Sequence, residues 1–315
     1  MKSTSLADLS LLFVALIWGA TFVVVQNAIS FLEPLTFNAV RFTIAAILLT
    51  VWLLLFERKQ LKTFNIKMLG AGIILGFWLF IGYGFQTLGL VYTTSSKAAF
   101  ITGLSVVMVP LFTIFLLRKR LSIHAYIGVV TATLGLYLLT MTDVSGLNLG
   151  DGLIFICAIG FALQILLTGK YTNQYPTLLL TVIQISTVAV LSSITSLLFE
   201  NWKQAFEPSI LFTTEVTLAL VITAVFATAI AYLIQTNFQK YTTPTRVALI
   251  FAMEPVFAAI TGYIWAGDRL SLSAMVGCLL IFAGMIFAEI PANKGILKLR
   301  TKTVLQAKKG ADSEV

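Results

Sequence analysis

The sequence predicts an all-α integral membrane protein, with ten transmembrane helices arranged as two inverted five-helix repeats. Three observations carry this expectation. Apolar residues make up 58% of the 315-residue chain and charged residues only 11%, against about 25% charged in soluble domains. The apolar residues are gathered into stretches of about 20, the length that crosses a bilayer. Phrases from the first part of the chain also return in the second part in a constant register.

Ten stretches qualify: 8–28, 35–56, 68–90, 97–117, 122–141, 151–170, 177–199, 216–238, 246–266 and 271–290. The first follows Lys2, as a signal peptide would. It is too long for an h-region, and no small-x-small cleavage site follows. A charged segment, 57–67, separates the second from the third, and the third is rich in glycine (Gly70, Gly72, Gly76, Gly82, Gly84, Gly89). The fourth opens on Lys97 and the ninth on Arg246. Gly128 and Gly135 mark the fifth, and Gly277 and Gly284 the tenth, spacings that suit close helix packing. Short alternating segments of the transmembrane barrel type are absent, so helices are the expected spanning elements.

The net charge of +8 would suggest nucleic acid in a soluble protein. Here its placement points to the membrane instead, and no nucleic-acid partner is expected. Cytoplasmic loops collect Lys and Arg. With the N-terminus inside, 17 basic residues lie inside and 3 (Lys97, Lys203, Arg269) outside. The expected location is the cytoplasmic membrane, multi-pass, with both termini cytoplasmic. A basic tail at 291–315 would be flexible and held near anionic lipid. Cys157 and Cys278 fall within spans, and His124 is the single histidine. No disulfide, metal site or cofactor is expected.

The repeat is explicit. Gln86-Thr87 and Gln235-Thr236 lie 149 residues apart, and this offset holds onward. It pairs Tyr92-Thr93-Thr94 with Tyr241-Thr242-Thr243, Lys97 with Arg246, Ala99 with Ala248, and Arg120-Leu121-Ser122 with Arg269-Leu270-Ser271. The N-terminal parts align at 143, pairing Asp8 with Asp151 and Ala15 with Ala158. The six-residue difference is assigned to the longer loop near 200–215 compared with 57–67. Five spans per half is an odd number, so the second half would enter the membrane from the opposite side. The halves are read as 8–141 and 151–290.

The stretches ALIWGATFV (15–23), NAVRFTIAA (38–46), TTSSKAAFITGLSVVMVPLFTIFL (93–116) and MEPVFAAITGYIWAGDRLS (253–271) resemble the drug/metabolite transporter superfamily, EamA type, with two EamA domains. The resemblance spans most of residues 8–290. It implies export or exchange of small metabolites such as amino acids through a central cavity lined by spans 1–4 and 6–9, with spans 5 and 10 peripheral. One departure concerns the acid that the family often places before Arg-Leu-Ser in both halves. Asp268 holds that place in the second half, and Lys119 stands in the first.

Ionisable groups within a bilayer are rare and point to function. Glu254 lies about 12 Å along its helix from Arg246, near mid-membrane, and Pro255 disturbs the backbone beside it. It is a candidate cation, amine or proton site; the other reading is local capping or a structural pair with Arg41. Arg41 is a candidate carboxylate partner, or else it snorkels or pairs with Glu33. Lys97 and Arg246 are candidate gates, or headgroup anchors. Trp18, Trp78, Tyr83, Gln86, Gln164, Gln184, Tyr232, Gln235 and Tyr263 are candidate cavity residues. Gln86 and Gln235 lead that group because they are repeat mates. Each of these groups has a bland counterpart, an interfacial ring or an interhelical hydrogen bond.

The expected function is secondary transport of a small-molecule substrate, efflux of amino-acid-like solutes, with a proton as a possible coupling ion. Among alternatives, no phosphate-binding loop points to ATP. One histidine and no paired acids within a span give an enzyme little to work with. A scaffold would not require an inverted repeat, and an uncoupled channel remains as the alternative.

Overall fold

The computed structural model describes residues 2–93, 95–118, 121–140, 148–261, 263–264 and 271–289. The expected tail at 291–315, the end of the ninth span, Asp268 and Lys119 lie outside the described residues, as does the Lys97 side chain. Among the described residues there are helices and no strands. We number the long ones α1 (Lys2–Ala28), α2 (Pro34–Phe56), α3 (Ile66–Leu90), α4 (Ser95–Gly103 and Ser105–Leu117), α5 (Ile123–Thr140), α6 (Leu149–Tyr171), α7 (Thr177–Phe199), α8 (Thr214–Tyr241), α9 (Pro244–Phe251 and Glu254–Thr261) and α10 (Leu272–Glu289). Eight are long and apolar enough to cross a membrane. In α5 and α10 the apolar runs are shorter, Ile123–Leu139 and Leu272–Phe287. The protein is a multi-pass helical membrane protein.

Local chemistry fixes several helix starts. Pro34 occupies the first turn of α2, where its missing N–H costs nothing. The freed N–H groups of Leu35 and Thr36 donate to the Glu200 carboxylate at 2.9 and 2.7 Å, and the Thr36 hydroxyl joins them at 2.8 Å. The acid that holds this end of α2 therefore comes from the segment after α7. Glu33, next to α2 in sequence, instead accepts from the Asn201 N–H at 2.8 Å. A capping box of Asn148 and Asp151 opens α6, satisfying two otherwise unpaired N–H groups.

The helices pack in a recurrent pattern. Helix α3 lies along α6 and α7, α1 lies along α8 and α9, α2 along α7, and α5 along α10. The α5–α10 seam is a close one. A Cβ at Gly135 would stand 2.6 Å from the Gly277 carbonyl oxygen, and one at Gly284 would stand 2.6 Å from that of Gly128. Gly128 therefore meets Gly284, and Gly135 meets Gly277. The two helices run antiparallel, with sequence-equivalent glycines exchanging places across the seam. Such close backbone approach through small residues allows the van der Waals packing that helps drive helix association in lipid.

Two pairs of sequence-equivalent helices deviate from regularity. Helix α4 is interrupted at Leu104 and α9 at Ala252–Met253, positions related by the 149-residue offset. Helix α3 is regular throughout, whereas α8 carries a π-helical stretch, Ile222–Ile230. This corrects the assignment of the six-residue offset difference to a loop alone. Residues 57–65 join α2 to α3, and 200–213 join α7 to α8, a difference of five residues. The sixth lies within α8. Buried positions of α3 match those of α8 at an offset of 148 as far as Ala227, inside the π stretch (Met68 with Val216, Leu75 with Thr223, Leu79 with Ala227). After it they match at 149 (Tyr83 with Tyr232, Gln86 with Gln235, Thr87 with Thr236). A π turn absorbs one extra residue without rotating the helix faces on either side.

Candidate functional site

The bundle holds a cavity of about 70 Å³. It is lined by Trp18, Thr21, Phe22 and Val25 of α1, Arg41 of α2, Tyr83, Gln86 and Leu90 of α3, and Ala99, Thr102, Gly103 and Ser105 of α4. Phe161, Gln164 and Ile165 of α6, Tyr232 and Gln235 of α8, and Phe251, Glu254 and Pro255 of α9 complete it. The wall is mostly apolar with a few polar groups, the usual makeup of a small-molecule site. From mid-bundle the cavity extends toward the end at which α1 and α3 finish.

Most of the expected residues meet here. Trp18, Arg41, Tyr83, Gln86, Gln164, Tyr232, Gln235, Glu254 and Pro255 line one space. Trp78 and Tyr263 do not. Trp78 precedes Tyr83 by five residues, which turns it roughly 140° around α3, and its ring packs edge-on against Phe77 at 5.3 Å. Tyr263 lies past the end of α9 and is 59% exposed. Gln184 is fully buried and donates to Thr236 Oγ1 at 3.2 Å, outside the cavity wall. Phe161 and Thr21 were not singled out from the sequence. Both were recoverable from the 143-residue offset, which pairs Phe161 with Trp18 and Thr21 with Gln164.

The aromatic core of the site is built from such mates. Tyr232 donates its hydroxyl to that of Tyr83 at 3.0 Å. Trp18 lies against Tyr232 with ring centroids 5.4 Å apart, and its mate Phe161 lies against Tyr83 at 5.1 Å. Tilted and edge-to-face contacts of this kind stabilise beyond the area they bury.

The charged groups break the pairing. Arg41 is buried, and its sequence-equivalent position in α7 is Gln184. Its Nε donates to Thr228 Oγ1 at 2.8 Å, and its guanidinium lies 4.7 Å from the Tyr83 ring centroid and 5.2 Å from that of Phe42. It neither snorkels nor pairs with Glu33. Glu254 opens the second segment of α9, where its mate in α4 is Ser105. A carboxylate at a helix N-terminus is favoured by the helix dipole. Among the described residues no ion pair joins Glu254 to Arg41, although both line the cavity. Gly19 lets α1 reach this point: a Cβ there would stand 2.5 Å from the Glu254 carbonyl oxygen.

At the opposite end the cavity is shut by polar side chains. Gln235 Nε2 donates to Gln164 Oε1 at 3.1 Å and to Gln239 Oε1 at 3.3 Å, while Gln239 Nε2 donates to the Ile165 carbonyl. Beyond them Arg246 forms a salt bridge with Asp8, joining the start of α9 to α1. Arg246 is thus tied to protein rather than standing free at a surface.

These features define a many-helix membrane protein with an internal cavity lined by groups of opposite charge. The EamA-like transporter family matches the chain twice, over residues 5–141 and 148–289. An uncharacterized transporter of Archaeoglobus fulgidus is 35% identical over 284 residues, covering 90% of this chain and 86% of its own. The uncharacterized transporter YoaV of Bacillus subtilis is 20% identical, covering 88% and 94%. A chain solved by crystallography shares the fold with a TM-score of 0.73 at 20% identity, covering 90% and 96%. The chain belongs to the EamA-like transporter family and is a membrane transporter.

Proposed function

We propose that the protein is a secondary transporter that exports small amino-acid-like solutes across the cytoplasmic membrane by alternating access. In this reading there are ten spans in two inverted halves, 8–141 and 151–290, with both termini cytoplasmic and no chemical step performed on the substrate. The observation that carries it is the cavity itself. It holds Arg41 and Glu254 without an ion pair between them, and it is latched at one end by groups whose repeat mates line it at the other. A zwitterion satisfies both charges, and exchanging the conformations of the halves would move the opening from one end to the other. The antiparallel glycine seam of α5 and α10 supports inversion, and the distribution of basic residues supports the orientation. The hydrogen-bonded end then faces the cytoplasm. Lys97 and Arg246 would serve the two ends as gates, and Glu254 would carry the coupling proton.

Reconstitution tests this. Flux in proteoliposomes should saturate and be stimulated by solute on the far side, whereas ohmic conductance would make the protein a channel. A crosslink between α4 and α9 should stop turnover; normal flux through the crosslinked protein would exclude the exchange of conformations. Metabolite profiling of medium from cells with and without the protein would identify the solute.

A further inference from the structure

The extra residue of α8 lies at a particular place. The π stretch presents two acceptors to the first half of the chain. The Ala227 carbonyl accepts from Trp18 Nε1 at 2.8 Å, and Thr228 Oγ1 accepts from Arg41 Nε at 2.8 Å. Both donors line the cavity, and Thr228 itself is fully buried behind it. In α3 the matching turn is ordinary α-helix: Leu79 and Gly82 are separated by two residues, where Ala227 and Ala231 are separated by three. The additional residue thus falls in the turn that holds Thr228. A π turn inside a long helix is a local departure that recurs at functional sites.

The consequence for Arg41 is geometric. Its Nε is held by Thr228, and one face of its guanidinium is covered by the Tyr83 ring. The terminal nitrogens are left for the cavity, which Arg41 lines. A guanidinium fixed through Nε offers its two terminal N–H groups as a planar fork, which matches a carboxylate. Glu254 in the same space disfavours a solute with two or more negative charges.

We propose that the one-residue insertion in α8 builds a monocarboxylate subsite, with Arg41 as the binding group and Thr228 as the residue that positions it. This rests on the transporter reading and specifies which end of the solute lies against α2 and α8. The insertion explains why only one of the two repeat-related positions carries the anion site. The other, where Gln184 of α7 stands in place of Arg41 and regular α3 in place of α8, has neither the arginine nor the π turn.

The test uses the full chain in proteoliposomes loaded with an equimolar pool of the twenty amino acids, or with the corresponding carboxamides, and efflux is read by mass spectrometry. Wild type should release one or more amino acids and not their amides. For a released amino acid, Thr228→Val should raise KM about 10-fold with maximal rate little changed, and Thr228→Ser, which keeps the acceptor, should restore it. Deleting Ala229 should give α8 the regular path of α3, leaving a folded, monodisperse protein that has lost its preference for acid over amide. Equal release of acids and amides, or a KM for Thr228→Val within twofold of wild type, would overturn the proposal. Release of neither pool by wild type would remove the transport reading on which it stands, and the subsite with it.

Discussion

The two ends of the cavity are built from the same sequence positions and differ in kind. At one end, Gln164, Gln235 and Gln239 bond to one another and to the backbone of α6. Their mates at the other end are Thr21, Gln86 and Leu90. Thr21 bonds within its own helix, Gln86 faces the cavity, and Leu90 packs with Phe22, Ala98, Ile101 and Ile154. Hydrogen bonds are directional and are made or broken over a few tenths of an ångström. Apolar contact is non-directional and yields gradually. The duplicated chain has therefore made one end a latch and the other a soft wall.

The contrast can be broken in four ways. The largest effect should come from the charge in the middle. Glu254→Gln should abolish flux or its dependence on a proton gradient while expression is unchanged, whereas Ser105→Ala, its mate, should be mild. Equal mildness of the two would make Glu254 structural. Next, Asp8→Asn removes one partner of the salt bridge whose side chains are 22% and 10% exposed. A pair between the surface and fully buried cases is worth roughly 2 kcal/mol. In a background free of Cys157 and Cys278, a Thr168→Cys reporter at the latched end should then react with a maleimide at least several-fold faster. An unchanged labelling rate would show that the glutamines hold this end without the ion pair.

A gentler change rebuilds the latch where it is missing. Thr21→Gln with Leu90→Gln gives the soft end two of the three glutamines. Turnover should slow several-fold, and a Val25→Cys reporter should become less reactive. Faster labelling would mean that the glutamines disrupt packing instead. The smallest effect is on stability. Gln235→Ala removes an interhelical hydrogen bond, to Gln164, and should lower stability by about 0.6–1.7 kcal/mol, the range for such bonds in membranes. Gln86→Ala should leave the melting temperature within error, since Gln86 makes no side-chain hydrogen bond with a described residue.

Helix positions were legible in the sequence because the bilayer fixes length and polarity together. Stretches such as 35–56 and 177–199 fall within a residue of α2 and α7. The cavity lining was legible where repeat mates or charges marked it: Gln86, Gln235, Arg41 and Glu254. Trp78 and Tyr263 misled because an aromatic residue is equally at home toward lipid, and hydropathy carries no face in a helix that is apolar all round. The π turn left no trace in composition, since ITAVFATAI reads as any apolar run. Its extra residue was hidden within a larger loop difference. Thr228 and the trans cap from Glu200 depend on contacts between distant segments, which spacing does not reveal.

The glycine seam between α5 and α10 has a practical meaning. Four glycines set backbone against backbone there, so the contact has almost no side-chain slack. If the halves rock, this seam is the spindle, the part of the machine that travels least. Tethers, fluorophores or fused domains attached beside it would follow the molecule without being swept by its stroke, which makes these two helices the natural handles for watching the others move.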